Sequence, residues 1–118
     1  MKKLIYIASP YAGDVEKNIE FARAACRHCM AQGNVPVAVH LLYPQMLDDS
    51  NPEERALGLE LGREVLARCD ELHVYGEQIS SGMAAEISLA WEMNIPVTTV
   101  ASKLVFEQTN PAMEQRFC

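Results

Sequence analysis

Residues 71–100 read ELHVYGEQISSGMAAEISLAWEMNIPVTTV, and three patterns succeed one another along them. Residues 71–75 form a short apolar run stopped by Gly76, which predicts a buried strand. Over 81–94 the apolar positions Met83, Ile87, Ala90 and Trp91 recur every three or four residues, which predicts a helix with that side inward. Pro96 then opens another strand, 96–100. A strand, a helix and a strand in this succession make a parallel βαβ unit with a right-handed crossover.

The alternation continues toward the N-terminus. Residues 3–8 are an apolar strand ended by Ser9-Pro10. Over 14–32, Val15, Ile19, Ala22, Cys26 and Cys29 mark the buried stripe of a helix, with Asp14 suited to its N-cap and Gly33 to its C′ position. Residues 35–42 predict a second strand with Pro44 at its exit. Asn51-Pro52-Glu53-Glu54 supplies an N-cap, a proline at the first helical position and a carboxylate at the third, a capping-box pattern. The helix it starts should run from 52 to about 69 and bury Leu57, Leu61, Val65 and Cys69. After Ser102 the pattern is less regular, and Asn110-Pro111 offers the start of one short helix. The order βαβαβαβ predicts an α/β three-layer sandwich, flavodoxin-like or Rossmann-like, with about four parallel strands in the order 2-1-3-4.

The chain has 118 residues, enough for one domain over 1–118 with its own core and too few for two. Sixteen acidic against ten basic residues give a net charge of −6, and the basic residues are scattered. That balance disfavours binding to a nucleic-acid polymer or an anionic membrane, and it leaves room for a small anionic ligand held by backbone amides. The apolar run at 4–8 is too short for a signal peptide, and no run approaches a membrane span. The four cysteines form no dense framework, so the expected compartment is cytoplasmic.

In an open parallel sheet the ligand crevice lies beyond the carboxyl ends of the strands where their order reverses, here between strands one and three. Two unusual loops follow those strands: 9–14, containing Ser9, Tyr11 and Gly13, and 76–83, containing Ser80, Ser81 and Gly82. Ser80-Ser81-Gly82 leads straight into a helix. It reads either as a plain N-cap with a turn glycine or as an anion site built on unpaired amides. Glu86 sits on the wheel about 40° from Ala90 and about 60° from Met83, so it borders the buried stripe. A carboxylate there either reaches solvent or is paired and used, and the nearby helix start favours its ionised form.

The run 79–92, following the strand 69–75, resembles the signature of the nucleoside 2-deoxyribosyltransferase superfamily, and KLIYIASP (3–10) resembles that family's first strand. Up to about Val100 the chain is also similar to a family of small bacterial and phage proteins of unknown function placed beside those transferases. The resemblance implies that Glu86 is the catalytic nucleophile, Tyr6 the tyrosine that orients it, and Gly82 the glycine of the turn before the catalytic helix. Ser80 stands where the deoxynucleotide hydrolases have serine and the base-exchanging transferases aspartate, which points to a phosphate-bearing ligand. The implied reaction is attack of Glu86 on C1′ of a 2′-deoxyribonucleotide, with Ser80, Ser81 and Gly82 on the phosphate and Tyr11 on the base. The family aspartate of the preceding helix falls on Gly62-Arg63, where this chain has no carboxylate. The same likeness admits a non-catalytic nucleotide-binding or sensing module as the alternative.

Other signals carry less. Cys26-Arg27-His28-Cys29 has C-x-x-C spacing but lies deep in a helix and lacks a second pair, so neither redox nor zinc chemistry is expected. His40 follows the second strand and reads either as a ligand contact or as a polar strand end. Asp48-Asp49 read as loop carboxylates beside a helix start. No metal and no cofactor is expected. Because so short a chain builds a shallow site, a homodimer or larger homo-oligomer is expected to cover it.

Overall fold

The computed structural model describes residues 1–101. Its elements are β1 (Leu4–Ala8), α1 (Val15–Ala31), β2 (Val35–Val37), α2 (Pro52–Ala67), β3 (Glu71–Tyr75), α3 (Ser81–Glu92) and β4 (Val97–Val100), with two single 3₁₀ turns at Val39–Leu41 and Tyr43–Gln45. The strands form one sheet in the order β2-β1-β3-β4, all pairs parallel. The expected fold class, strand order and alternation are therefore the ones found.

Side chains alternate across β1, and that alternation builds two cores. Tyr6 and Ala8 pack with Leu66, Leu72, Val74, Met83 and Ala90 on the side covered by α2 and α3. Ile5 and Ile7 pack with Ala25, Cys29 and Tyr75 beneath α1. The register Tyr6↔Leu72 and Ala8↔Val74 keeps each pair of neighbours on one side. Within the α1 layer, buried His28 meets the Tyr75 hydroxyl at 3.0 Å, so both polar groups are satisfied.

The caps follow the sequence. Asp14 accepts a hydrogen bond from the Lys17 amide, and Gly33 takes φ +84 just past α1. Asn51 Oδ1 accepts from the Glu53 and Glu54 amides. The reciprocal half of the expected capping box is not made, because Glu54 accepts from the Asp48 amide instead and ties down the loop before the helix.

Some details differ from the sequence expectation, beginning with Val15, which was expected in the buried stripe of α1 and is 36% exposed. β2 stops at Val37 and does not run to Leu42: Pro36 removes a ladder donor, and the chain then winds into the 3₁₀ turns that place Val39 in the core. The inward side of α2 is Gly62 and Leu66, with Val65 partly buried against the core as expected; Leu61 is only half-buried and Leu57 is 42% exposed. Gly62 lies beside the Tyr6 hydroxyl and Val39. Trp91, expected inward, is 65% exposed, while Met83 and Ala90 are buried as expected. The proposed start at Asn110-Pro111 lies outside the described residues. Among the described residues no helix is long and apolar enough to cross a membrane.

The rotated face of α2 has a direct test. Leu66→Ala should cost about 2–5 kcal/mol by urea denaturation, as a filled core position does, whereas Leu57→Ala should stay within about 0.5 kcal/mol of the parent. Equal losses would return the stripe to Leu57.

Candidate active site

Tyr6 comes from the middle of β1 and points toward α3, with 2% of its surface exposed. Its hydroxyl donates a hydrogen bond to Glu86 Oε2 in the second turn of α3. Glu86 is thus held by the sheet and does not reach freely into solvent. Burial pushes its pKa up to about 7, opposed by the Tyr6 hydrogen bond, which favours the ionised form. The helix start was expected to favour the ionised form, and desolvation outweighs that influence. The same contact and burial drive the Tyr6 hydroxyl far above its ordinary pKa, so it remains a donor.

Around this pair lies a cavity of about 480 Å³. The end of β1, the 3₁₀ turns, α2 and the start of α3 enclose it. Tyr6, Ser9, Tyr11, His40, Ser80, Ser81, Gly82 and Glu86 all line it, so the structure brings together nearly every candidate read from sequence. Gly13 is the exception: it turns the chain at φ +100 with open space around it and is not part of the lining.

Two buried polar atoms of residues that line the cavity, Ser9 Oγ and Glu86 Oε1, have no hydrogen-bond partner among the described residues. Each such atom costs about 1–3 kcal/mol. Ser80 is the N-cap of α3, its oxygen accepting from the Met83 amide. Its hydroxyl hydrogen and the amides of Ser81 and Gly82, which precede the first intrahelical bond, remain available to an anion. Both sequence readings of Ser80 therefore hold at once. No close contact surrounds Gly82, so the turn does not require glycine there.

His40 sits on a 3₁₀ turn, not at a strand end, with Nε2 4.0 Å from Glu86 Oε2. Burial lowers its pKa, so the ring is neutral at pH 7 and does not charge-pair with Glu86. Tyr11 stacks on it, ring centres 5.3 Å apart and 18° from parallel, which gives the cavity a flat aromatic side.

Sequence reading reached the α2 wall only at Gly62-Arg63, through the resemblance; Glu54, Arg55 and Gly58, which also line the cavity, were missed. Glycines four residues apart inside a helix were the available signal, since each costs helix stability. The C-x-x-C cysteines lie elsewhere, under α1. Cys26 and Cys29 are free thiols pushed by burial to about 11 and about 12, far from the thiolate form that redox chemistry needs. Among the described residues no group of three or more His, Cys, Asp or Glu could hold a metal.

Comparison with solved structures finds the same fold in a protein from Bacillus psychrosaccharolyticus described as a 2-deoxyribosyltransferase, with TM-score 0.66 and 18% identity over 83% of this chain and 72% of that one. A conserved protein from Enterococcus faecalis V583 matches with TM-score 0.57 and 22% identity over 84% of this chain, which spans 63% of that protein. At these identities the likeness establishes the fold. No curated protein matches. A family model described as a domain of unknown function, DUF7768, matches residues 3–100. The chain belongs to that family.

Proposed function

We propose that this chain is a 2-deoxyribosyltransferase-like enzyme that cleaves or exchanges the N-glycosidic bond of a 2′-deoxynucleotide, with Glu86 as nucleophile. The observation that carries the reading is a buried carboxylate on a residue that lines the cavity, one oxygen held by Tyr6 and the other without a partner among the described residues. The fold shared with a protein described as a 2-deoxyribosyltransferase supports it.

In this reading Tyr6 fixes the carboxylate plane, and Glu86 attacks C1′ as the base departs, through an oxocarbenium-like transition state to a glycosyl-enzyme. Water or a second base resolves it with net retention. The α3 start, through Ser80, Ser81 and Gly82, takes the 5′-phosphate, Ser9 Oγ binds a sugar or phosphate oxygen, and the Tyr11–His40 stack bounds the base.

A second reading has one observation in its favour. Gly62, not a carboxylate, lies against the Tyr6 hydroxyl, so no acid of α2 occupies that place. A chain so built binds nucleotide without turning it over.

A panel of 2′-deoxynucleoside 5′-monophosphates separates the two. Base release by the parent should fall roughly a thousandfold or more in Glu86→Gln while binding persists; parent and variant equally inert but binding nucleotide would establish the module. The parent's kcat/KM should rise with pH through about 7 as Glu86 ionises. Tyr6→Phe should move that midpoint upward, because it removes the hydrogen bond that favours the charge.

The same ionisation affects folding. In the folded chain Glu86 binds its proton more tightly than in the unfolded chain, so its contribution to stability falls as pH rises from about 4.5 toward 7. Glu86→Gln should abolish that decline and exceed the parent by about 1–3 kcal/mol above pH 7 in denaturant titrations, although it removes catalysis.

A further inference from the structure

His40 approaches the Glu86 carboxylate, with Nε2 4.0 Å from Oε2. The ring is held there from two sides. Buried Val39 anchors the 3₁₀ turn in the core, and the Leu41 amide donates to the Ala38 carbonyl and the Leu42 amide to the Val39 carbonyl, each at 3.1 Å. Tyr11 stacks on the ring from a loop that is itself tied down, since the Tyr11 and Ala12 carbonyls accept from Asn18 Nδ2 at 2.9 and 3.0 Å. Neither nitrogen of the ring makes a hydrogen bond with a described residue, and the side chain is 29% exposed. Burial lowers its pKa against the opposing charge of Asp49, and the neutral imidazole so kept has a lone pair to accept a proton.

No other base of the cavity is so placed. Asp49 and Glu54 line it too, but they face Arg55 at 3.4 Å and the Asp48 amide at 3.2 Å, and no ion pair or hydrogen bond brings either to Glu86. The hydroxyls of Tyr11 and Tyr43 can supply a proton, whereas taking one from water needs a base. A retaining displacement needs that base in its second half, when water enters on the side the nucleobase has left. In the reading above, that is the side bounded by the Tyr11–His40 stack. Retaining glycosidases set their two catalytic groups roughly 5–5.5 Å apart and inverting ones roughly 6.5–9.5 Å, and the approach of His40 to Glu86 belongs with the closer class.

We propose that His40 is the general base of the second half-reaction, taking a proton from the water that releases the sugar from Glu86. The inference rests on the glycosidase reading, and it puts the proton acceptor on the 3₁₀ turn and not on α2, where Gly62 stands beside Tyr6. The water oxygen bonds to C1′ as the C1′–O bond to Glu86 breaks. The electron pair of that bond returns to the carboxylate, and the water proton goes to the unprotonated ring nitrogen of His40, which then passes it to bulk water.

The test uses the full chain, its His40→Gln and His40→Ala variants, and the panel of 2′-deoxynucleoside 5′-monophosphates, with base release followed from the first turnover in the presence and absence of sodium azide. Azide is an anion and attacks C1′ without a base. Each variant should release a burst of about one base per protein and then turn over roughly 10²–10³-fold more slowly than the parent, with the sugar phosphate held on the protein by intact mass. Azide should bring the variants to within about tenfold of the parent and yield a 2-deoxyribosyl azide phosphate with the substrate's own anomeric configuration, while leaving the parent nearly unaffected. Urea midpoints near the parent's confirm that both variants fold. Variants as fast as the parent, a burst slowed as much as the steady rate, or turnover indifferent to azide would overturn the role of His40 and leave the glycosidase reading standing. No base released by the parent from any nucleotide would overturn that reading and the role of His40 with it.

Discussion

The hydrogen bond from Tyr6 to Glu86 is the contact on which the site depends. It joins a central strand to the second turn of α3, so the carboxylate is positioned by the same side chain that fills the α2–α3 core. Burial gives this carboxylate a pKa of about 7, far more basic than an exposed one, and the bond to Tyr6 keeps that rise in check. A group poised between its two forms near neutral pH is a better nucleophile than a strongly acidic carboxylate and is still substantially ionised. The cost appears as two buried atoms without a partner among the described residues, Glu86 Oε1 and Ser9 Oγ.

On the opposite wall Gly62 of α2 lies beside the Tyr6 hydroxyl, and Gly58 meets the end of Leu47. The connection 38–51 between β2 and α2 closes another side through Val39, His40, Tyr43 and Leu47, and the cavity so bounded measures about 480 Å³. The chain's net charge of −6 is compatible with an anionic ligand because the proposed anion contacts are local, amides and hydroxyls at the start of α3. They do not create the basic face that a nucleic-acid polymer requires.

Much of this was legible before the fold. Alternation between period-two strands and 3.6-period helices specified the parallel sheet, and the wheel put Glu86 at the border of a buried stripe. Tyr6 was different: nothing in the pattern of β1 separates it from its apolar neighbours, and it was singled out through resemblance to a family. The face of α2 was misread in part: Val65 packs on the core as expected, whereas Leu57 is exposed and the buried positions are Gly62 and Leu66, a glycine that no count of hydrophobicity would place inward. β2 was drawn too long for a related reason, since Val39 and Leu41 look strand-like but follow Pro36 into a 3₁₀ turn. Glu86 itself was expected to be held ionised by the helix start, a weak and distance-limited field that burial overrides.

The central claim is that Glu86 becomes covalently bonded to C1′. Mass spectrometry of the protein quenched during turnover of a 2-fluoro-substituted arabinonucleotide, which slows release of the sugar, addresses it directly. The account predicts a sugar-phosphate mass on the peptide containing Glu86 and none in Glu86→Gln. Base release without any adduct, or an adduct elsewhere in the chain, would contradict it.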